Sequence, residues 1–191
     1  MMDEKAILTI IHDDSWMMEI LTLVKTLKLP DWWIGAGFVR SKVWDYLHKY
    51  KTRTPLPDID IIYFDPTDFS KKEMKTYSTK AEDAYQKLLK IKRTDVHWSV
   101  TNQARMHKLH NHKPYKNSTE ALSRWVETAT CVGVKLNKNN KLELTAPRGI
   151  DDLVHLKLRL TPGREKERER FDERIKKKGW LTKWPKLEVI T

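Results

Sequence analysis

Asp58-Ile59-Asp60-Ile61-Ile62-Tyr63-Phe64 is the stretch on which the reading of this chain turns. It is rich in β-branched and aromatic residues and lies between Pro55-Leu56-Pro57 and Asp65-Pro66-Thr67-Asp68, so it reads as a strand between two turns. Side chains alternate along a strand, which sends Ile59 and Ile61 into a core and projects Asp58 and Asp60 together from the other face. Two neighbouring carboxylates are the oxygen donors that suit a divalent cation, magnesium above all, shared with substrate phosphates.

Upstream, Trp32-Trp33-Ile34 reads as a short strand stopped by Gly35-Ala36-Gly37. The spacing of Val39, Val43, Trp44 and Leu47 then predicts a helix from about Phe38 to Tyr50. A strand, glycine turn and helix in that order present unpaired backbone N–H groups that favour a phosphate. Gly35 and Gly37 are therefore candidates for binding a triphosphate, with Arg40 or Ser41 one turn into the helix and the metal on Asp58 and Asp60. A tight strand-to-helix turn also calls for glycine on backbone grounds alone, so the glycines carry both readings.

Downstream, Val96 to Thr101 alternates into a strand with His97, Ser99 and Thr101 on a polar face, preceded by Asp95 on the same parity. The helical segment 102–110 holds a polar cluster: Asn102 and Gln103 are placed to read a base or sugar, and Arg105 to grip phosphate. Helix capping by Asn102 is the competing explanation. His107, His110 and His112 lie close together but lack a cysteine or nearby carboxylate at zinc-ligand spacing.

The remaining elements follow from periodicity. Two amphipathic helices are expected between Glu4 and Lys28, with Asp14 or Ser15 capping the second, and a long polar helix from Ser70 or Lys71 to Lys90. Ser118 or Thr119 is placed to cap a helix ending near Thr128. Val132–Leu136 and Lys141–Thr145 flank Asn137-Lys138-Asn139-Asn140 as a β-hairpin. The run from Arg164 to Lys177 reads as a solvated charged helix laced with local ion pairs. Trp180, Trp184 and Leu187 are expected to pack back on the body.

Composition narrows the class. The 191 residues carry 39% hydrophobic side chains and eight tryptophans, which argues against disorder despite 33% charged residues. A net charge of +11 favours polyanionic partners, nucleotides or nucleic acid. The single cysteine, Cys131, excludes an internal disulfide and reads as a buried structural thiol. No segment approaches the roughly 18 apolar residues of a membrane span, and the acidic N-terminus lacks a signal-peptide core. A cytoplasmic protein with no membrane partner is the expectation.

The glycine turn with Phe38-Val39-Arg40 and the Asp-x-Asp strand resembles the signature of the polymerase-beta-type nucleotidyltransferase superfamily. Trp98-Ser99-Val100-Thr101-Asn102-Gln103-Ala104-Arg105-Met106-His107, Pro114-Tyr115, Trp125 to Thr130, Ala146-Pro147 and Gly149 to Leu153 further resemble a bacterial nucleotidyltransferase-like family formerly carried as a domain of unknown function. The resemblance runs from about Leu29 to Leu187. It implies an α+β fold, a mixed β-sheet flanked by helices with an additional C-terminal hairpin and helices, in a single domain over 1–191. Its core would span about 29–105, with a family-specific extension over about 106–191.

The activity it implies is magnesium-dependent transfer of a nucleoside monophosphate from a nucleoside triphosphate to an acceptor hydroxyl, with manganese able to substitute and RNA among the acceptors. Asp58 and Asp60 would hold the metal, and Gly35, Gly37, Arg40, Asn102, Gln103 and Arg105 would bind nucleotide. A third acid is expected on a neighbouring strand. Asp95 is the first candidate, ahead of Glu127 and Asp151. The alternative from another class is a catalytically inactive nucleotide- or nucleic-acid-binding module of the same fold.

Overall fold

The computed structural model of the protein describes residues 2–68, 79–91, 93, 95–109 and 112–191. The first two helices are α1 (Glu4–His12) and α2 (Ser15–Thr26). Asp14 caps α2, its carboxylate accepting the Met17 N–H at 3.1 Å. The same carboxylate receives Lys42 and Arg53, each at 2.8 Å, which ties α2 to the segment leading into the acid strand. Ile7, Ile11, Met17, Ile20, Leu21 and Val24 form the buried stripe of this pair.

Chain order continues with β1 (Trp33–Gly35), α3 (Gly37–Leu47), β2 (Ile59–Tyr63), α4 (Thr79–Leu89) and β3 (Trp98–Asn102). A 3-10 turn at Gln103–Arg105 leads into α5 (Met106–Leu109), then α6 (Ser118–Leu122), β4 (Gly133–Leu136) and β5 (Leu142–Thr145). Last come α7 (Asp151–Val154), β6 (Lys157–Arg159), α8 (Arg168–Lys178), α9 (Trp180–Lys183) and β7 (Glu188–Ile190). Together they make the α+β architecture expected, a mixed five-stranded sheet in the order β3-β2-β1-β4-β5 flanked by helices.

Within this five-stranded sheet β2 and β3 run parallel and the other described neighbours antiparallel. In register, Ile59 pairs with Trp98, Asp60 with Ser99, and Ile61 with Val100. Ile59, Ile61 and Tyr63 are buried on one face, where α2, α3 and α4 pack through Val24, Val39, Val43, Trp44 and Leu88. The opposite face carries Trp33 and Ile62, covered by Leu122 and by Trp125 just beyond α6. Asp60 lies on this second face.

Several expected boundaries move. The helix at 118 is capped one residue earlier, by Asn117, whose side chain accepts the Glu120 N–H at 2.8 Å, and it stops at Leu122 rather than near Thr128. The Ser70-to-Lys90 helix is described only over Thr79–Leu89, its first part lying outside the described residues. Its buried side is Ala81, Ala84 and Leu88, while Leu89 is exposed. The hairpin forms as read: Asn137 accepts the N–H groups of Asn139 and Lys141, and Asn140 takes the left-handed conformation that closes the turn. A parallel β6–β7 pair, not expected from the sequence, carries the C-terminal segment back to the body.

Candidate functional site

Asp58, Asp60, Ala36, Gly37 and Arg40 line one narrow cleft of about 60 Å³. The β-alternation brings the two acids to it, and the turn out of β1 brings the start of α3. No side chain caps α3, and the N–H groups of Gly37 and Phe38 find no hydrogen-bond partner among the described residues. Unpaired N–H groups at the positive end of an eleven-residue helix favour an anion.

The turn distributes its demands unevenly. Neither glycine has positive φ; the residue between them does, Ala36 at φ 42° and ψ −106°. An L-residue held there costs about 1–3 kcal/mol, and the bond from its N–H to the Val132 carbonyl at 2.9 Å helps to hold it. Gly35 is required by packing, since a Cβ there would stand 3.1 Å from Trp125 Cη2. At Gly37 a Cβ would meet only Arg40 Nη2 at 3.7 Å and Leu56 Cδ2 at 3.9 Å, ordinary contacts. The protein itself therefore has room for a side chain at Gly37, beside the Arg40 guanidinium.

Arg40 is 6% exposed, and its Nε is buried with no hydrogen-bond partner among the described residues. Its guanidinium lies 4.4 Å from the Trp180 ring centre and 5.1 Å from that of Trp44. Burial pushes its pKa down to about 10, against the pull of Glu127, Asp60 and Asp58, so it stays cationic at neutral pH. Asp60 moves the other way: burial and the negative charge of Asp58 raise its pKa, while Ser99, Lys178 and Arg40 pull it back. A divalent cation between Asp58 and Asp60 would relieve that repulsion, and oxygen donors fit magnesium or manganese. Among the described residues no three His, Cys, Asp or Glu side chains converge as a metal-ligand set, so substrate oxygens or water would complete the coordination.

The other expected residues are placed as follows. Asp95 shares a recess with Asp58 but lies away from Asp60, whose neighbour on β3 is Ser99. Its Oδ2 accepts from Arg93 Nη2 and Trp16 Nε1, each at 2.8 Å, and its Oδ1 from Arg93 Nε at 3.0 Å, and these bonds hold its carboxyl well below the usual range. Asn102 is committed to the backbone of Asp65, receiving its N–H at 3.1 Å and donating to its carbonyl at 2.9 Å; it also caps the 3-10 turn through Ala104 N–H. That is the capping explanation raised by the sequence. Gln103 faces a cavity beside Asp60, whereas Arg105 lines a groove of about 550 Å³ along the outer edge of β3.

Glu127 is fully buried and holds Arg174 through Oε1 at 2.6 Å. Asp151 opens α7. His112 pairs with the Tyr115 hydroxyl at 2.6 Å, and His110 lies outside the described residues. Cys131 is a buried thiol pushed up to about 11 by burial, inert as expected.

The charged run reads differently in three dimensions. Local pairs do form, Arg164 with Glu167 at 2.6 Å and Arg168 with Asp172 at 3.3 Å. Yet Arg174, Lys178 and Lys183 turn toward the acid cleft, and Arg164 is buried. Nothing in the local spacing distinguishes them from solvated neighbours; only the return of α8 and α9 over α3 does.

A nucleotidyltransferase family model matches residues 22–189. The chain belongs to this nucleotidyltransferase family. It is similar, at 32% identity and a TM-score of 0.81 over 99% of this chain and 96% of the other, to an NMR structure described as revealing a CCA-adding enzyme head domain. A complex of a CCA-adding enzyme with ATP is a remoter likeness: 16% identity and a TM-score of 0.47, covering 89% of this chain and 44% of that one. No curated protein matches. Ala36 and Gly37 of the glycine turn, Asp58 and Asp60 of the acid strand, and Trp125 all line the cleft. No helix among the described residues is long and apolar enough to cross a membrane.

Proposed function

We propose that this nucleotidyltransferase-family protein transfers a nucleoside monophosphate from a nucleoside triphosphate to an acceptor hydroxyl, with Asp58 and Asp60 holding magnesium or manganese. The observation that carries the reading is the buried Arg40 guanidinium, whose Nε has no hydrogen-bond partner among the described residues, beside an uncapped helix start and in the same cleft as two mutually repelling carboxylates. Cationic side chains on one side and two neighbouring carboxylates on the other are what a metal-bound polyphosphate would complete.

In this reading the N–H groups of Gly37 and Phe38, with Arg40, Lys178 and Lys183, receive the leaving phosphates. Asp58 and Asp60 would hold the cation, which would supply Lewis-acid polarisation of the α-phosphate. Ser99 sits opposite Asp60 in the strand register and favours its charged form. Arg174, fixed from behind by Glu127, stands by the transferring group and offsets its developing charge. The acceptor oxygen bonds to the α-phosphorus, the bond from that phosphorus to the bridging oxygen breaks, pyrophosphate leaves with the electron pair, and the hydroxyl proton leaves to solvent.

Asp95 is poorly placed as proton acceptor, because Arg93 and Trp16 already bond both of its oxygens and it does not line the cleft. An acceptor screen tests the proposal: labelled triphosphates and magnesium are incubated with RNA, small metabolites and proteins. Wild type is expected to release pyrophosphate with one acceptor class, and Asp58→Asn/Asp60→Asn to lose at least about 100-fold of that rate. Equal release by both proteins would contradict catalysis by this cleft. Tight nucleotide binding with no turnover on any acceptor would favour the inactive binding module.

A further inference from the structure

A second cavity, of about 230 Å³, opens on the other side of Asp60 from the phosphate cleft. The two share Asp60, Trp125 and Arg174, so Arg174 stands where they meet. Three guanidinium-bearing residues line the second cavity: Arg124, Arg164 and Arg174. Arg164 is 6% exposed, donates to the Arg124 carbonyl and to Glu167 Oε2, and has a buried Nε with no partner among the described residues. Glu127 and Glu167 each brace one guanidinium, and no side-chain ion pair is found for Arg124 among the described residues. Among the described residues, Asp60 is the only acid lining the cavity.

A nucleoside is neutral, and the charge of a triphosphate is already met by the α3 start, Arg40, Lys178 and Lys183 in the first cleft. Arg124 and Arg164 line this cavity and not the first cleft, two guanidiniums beyond those that surround the donor phosphates. Planar guanidinium forks, braced by carboxylates and set on more than one element, are the arrangement that receives a phosphate oxygen pair. Trp125, Met106 and Tyr115 supply apolar walls, and Gln103 a neutral polar contact.

We infer that this cavity holds the acceptor and that the acceptor carries its own phosphate group, bound by Arg124, Arg164 and Arg174 with its hydroxyl turned to Asp60. The assignment of the occupant as acceptor rests on the nucleotidyl-transfer reading above; the phosphate-binding cavity does not. The phosphate can come from a phosphorylated sugar or from the terminal nucleotides of an RNA, and the cavity admits about one such unit.

The test follows the Nε–Hε resonances of Arg124 and Arg164 in the full-length protein as inorganic phosphate is added. It is run twice: on wild type saturated with magnesium and a non-hydrolysable triphosphate, and on nucleotide-free Arg40→Met protein. Saturable shifts at Arg124 and Arg164 are expected in both, weakened about tenfold by Arg124→Ala, an exposed position whose replacement leaves the core intact. Ribose 5-phosphate and a short oligoribonucleotide with a free 3′ hydroxyl are then compared. At least one should bind more tightly than inorganic phosphate, and the tighter of the two names the source.

Absence of nucleotide binding in the first experiment with shifts retained in the second would sink the transfer reading and leave the phosphate cavity standing. Shifts no larger than those at surface lysines overturn the inference. So does a preference for neither organic phosphate, which would make the cavity the seat of an adventitious ion only.

Discussion

Gly37 allows folding and binding to be separated at a single atom. A Cβ there makes only ordinary contacts within the protein but intrudes on the N–H groups at the start of α3. Gly37→Ala is therefore expected to keep or raise stability by about 0.5–1 kcal/mol in thermal unfolding while weakening nucleotide binding about tenfold. Gly35→Ala has the opposite profile, losing about 1–3 kcal/mol because Trp125 must move. The acid pair was legible in the sequence because a two-residue period fixes which side chains share a face. The strain at Ala36 was not, since the pattern Gly-Ala-Gly points to the glycines. Arg174 and Lys178 were illegible for another reason: at i, i+3 and i, i+4 spacing a charged helix looks the same whether or not a cleft lies against it.

At the scale of elements, the caps and the hairpin were written locally and the pairings were not. Asp14 and the Asn137 turn act within a few residues, so the sequence shows them. The parallel β6–β7 pair joins residues far apart and leaves no local periodicity in three-residue strands. Asp14→Ala should cost about 0.5–2 kcal/mol from the α2 cap, with a further loss from the Lys42 and Arg53 contacts. Burial pushes the Asp14 carboxyl up, but the bonds from Arg53, Lys42 and the Met17 N–H outweigh it and leave the pKa below the ordinary 3.8. A depressed carboxylate stabilises above its unfolded value and loses that contribution as pH falls through the folded one. The ionic part of the difference between wild type and Asp14→Asn in chemical denaturation should accordingly be present at pH 7 and vanish in strong acid. A difference that persists unchanged would assign the effect to packing alone.

For the molecule as a whole, the C-terminal segment is part of both the core and the site. Trp180 and Trp184 pack edge-on against Trp44 at 5.9 and 5.0 Å, and Trp184 Nε1 donates to the buried Asp45 at 2.8 Å. Trp184→Ala should cost about 3–5 kcal/mol and, by loosening the wall over Arg40, reduce nucleotide affinity too. The wild-type chain is expected to melt in a single calorimetric transition. Two separated transitions would divide the C-terminal elements from the acid-bearing sheet.

The central claim, that Asp58 and Asp60 hold a metal against a polyphosphate seated at the start of α3, is tested most directly by calorimetric titration of a nucleoside triphosphate with and without magnesium. Wild type should bind only when the metal is present. Asp58→Asn/Asp60→Asn should lose at least about tenfold in affinity while melting no lower than wild type, since the substitutions relieve a partly buried like-charge pair. Undiminished binding by the double variant, or equal binding with the metal withheld, would contradict the account.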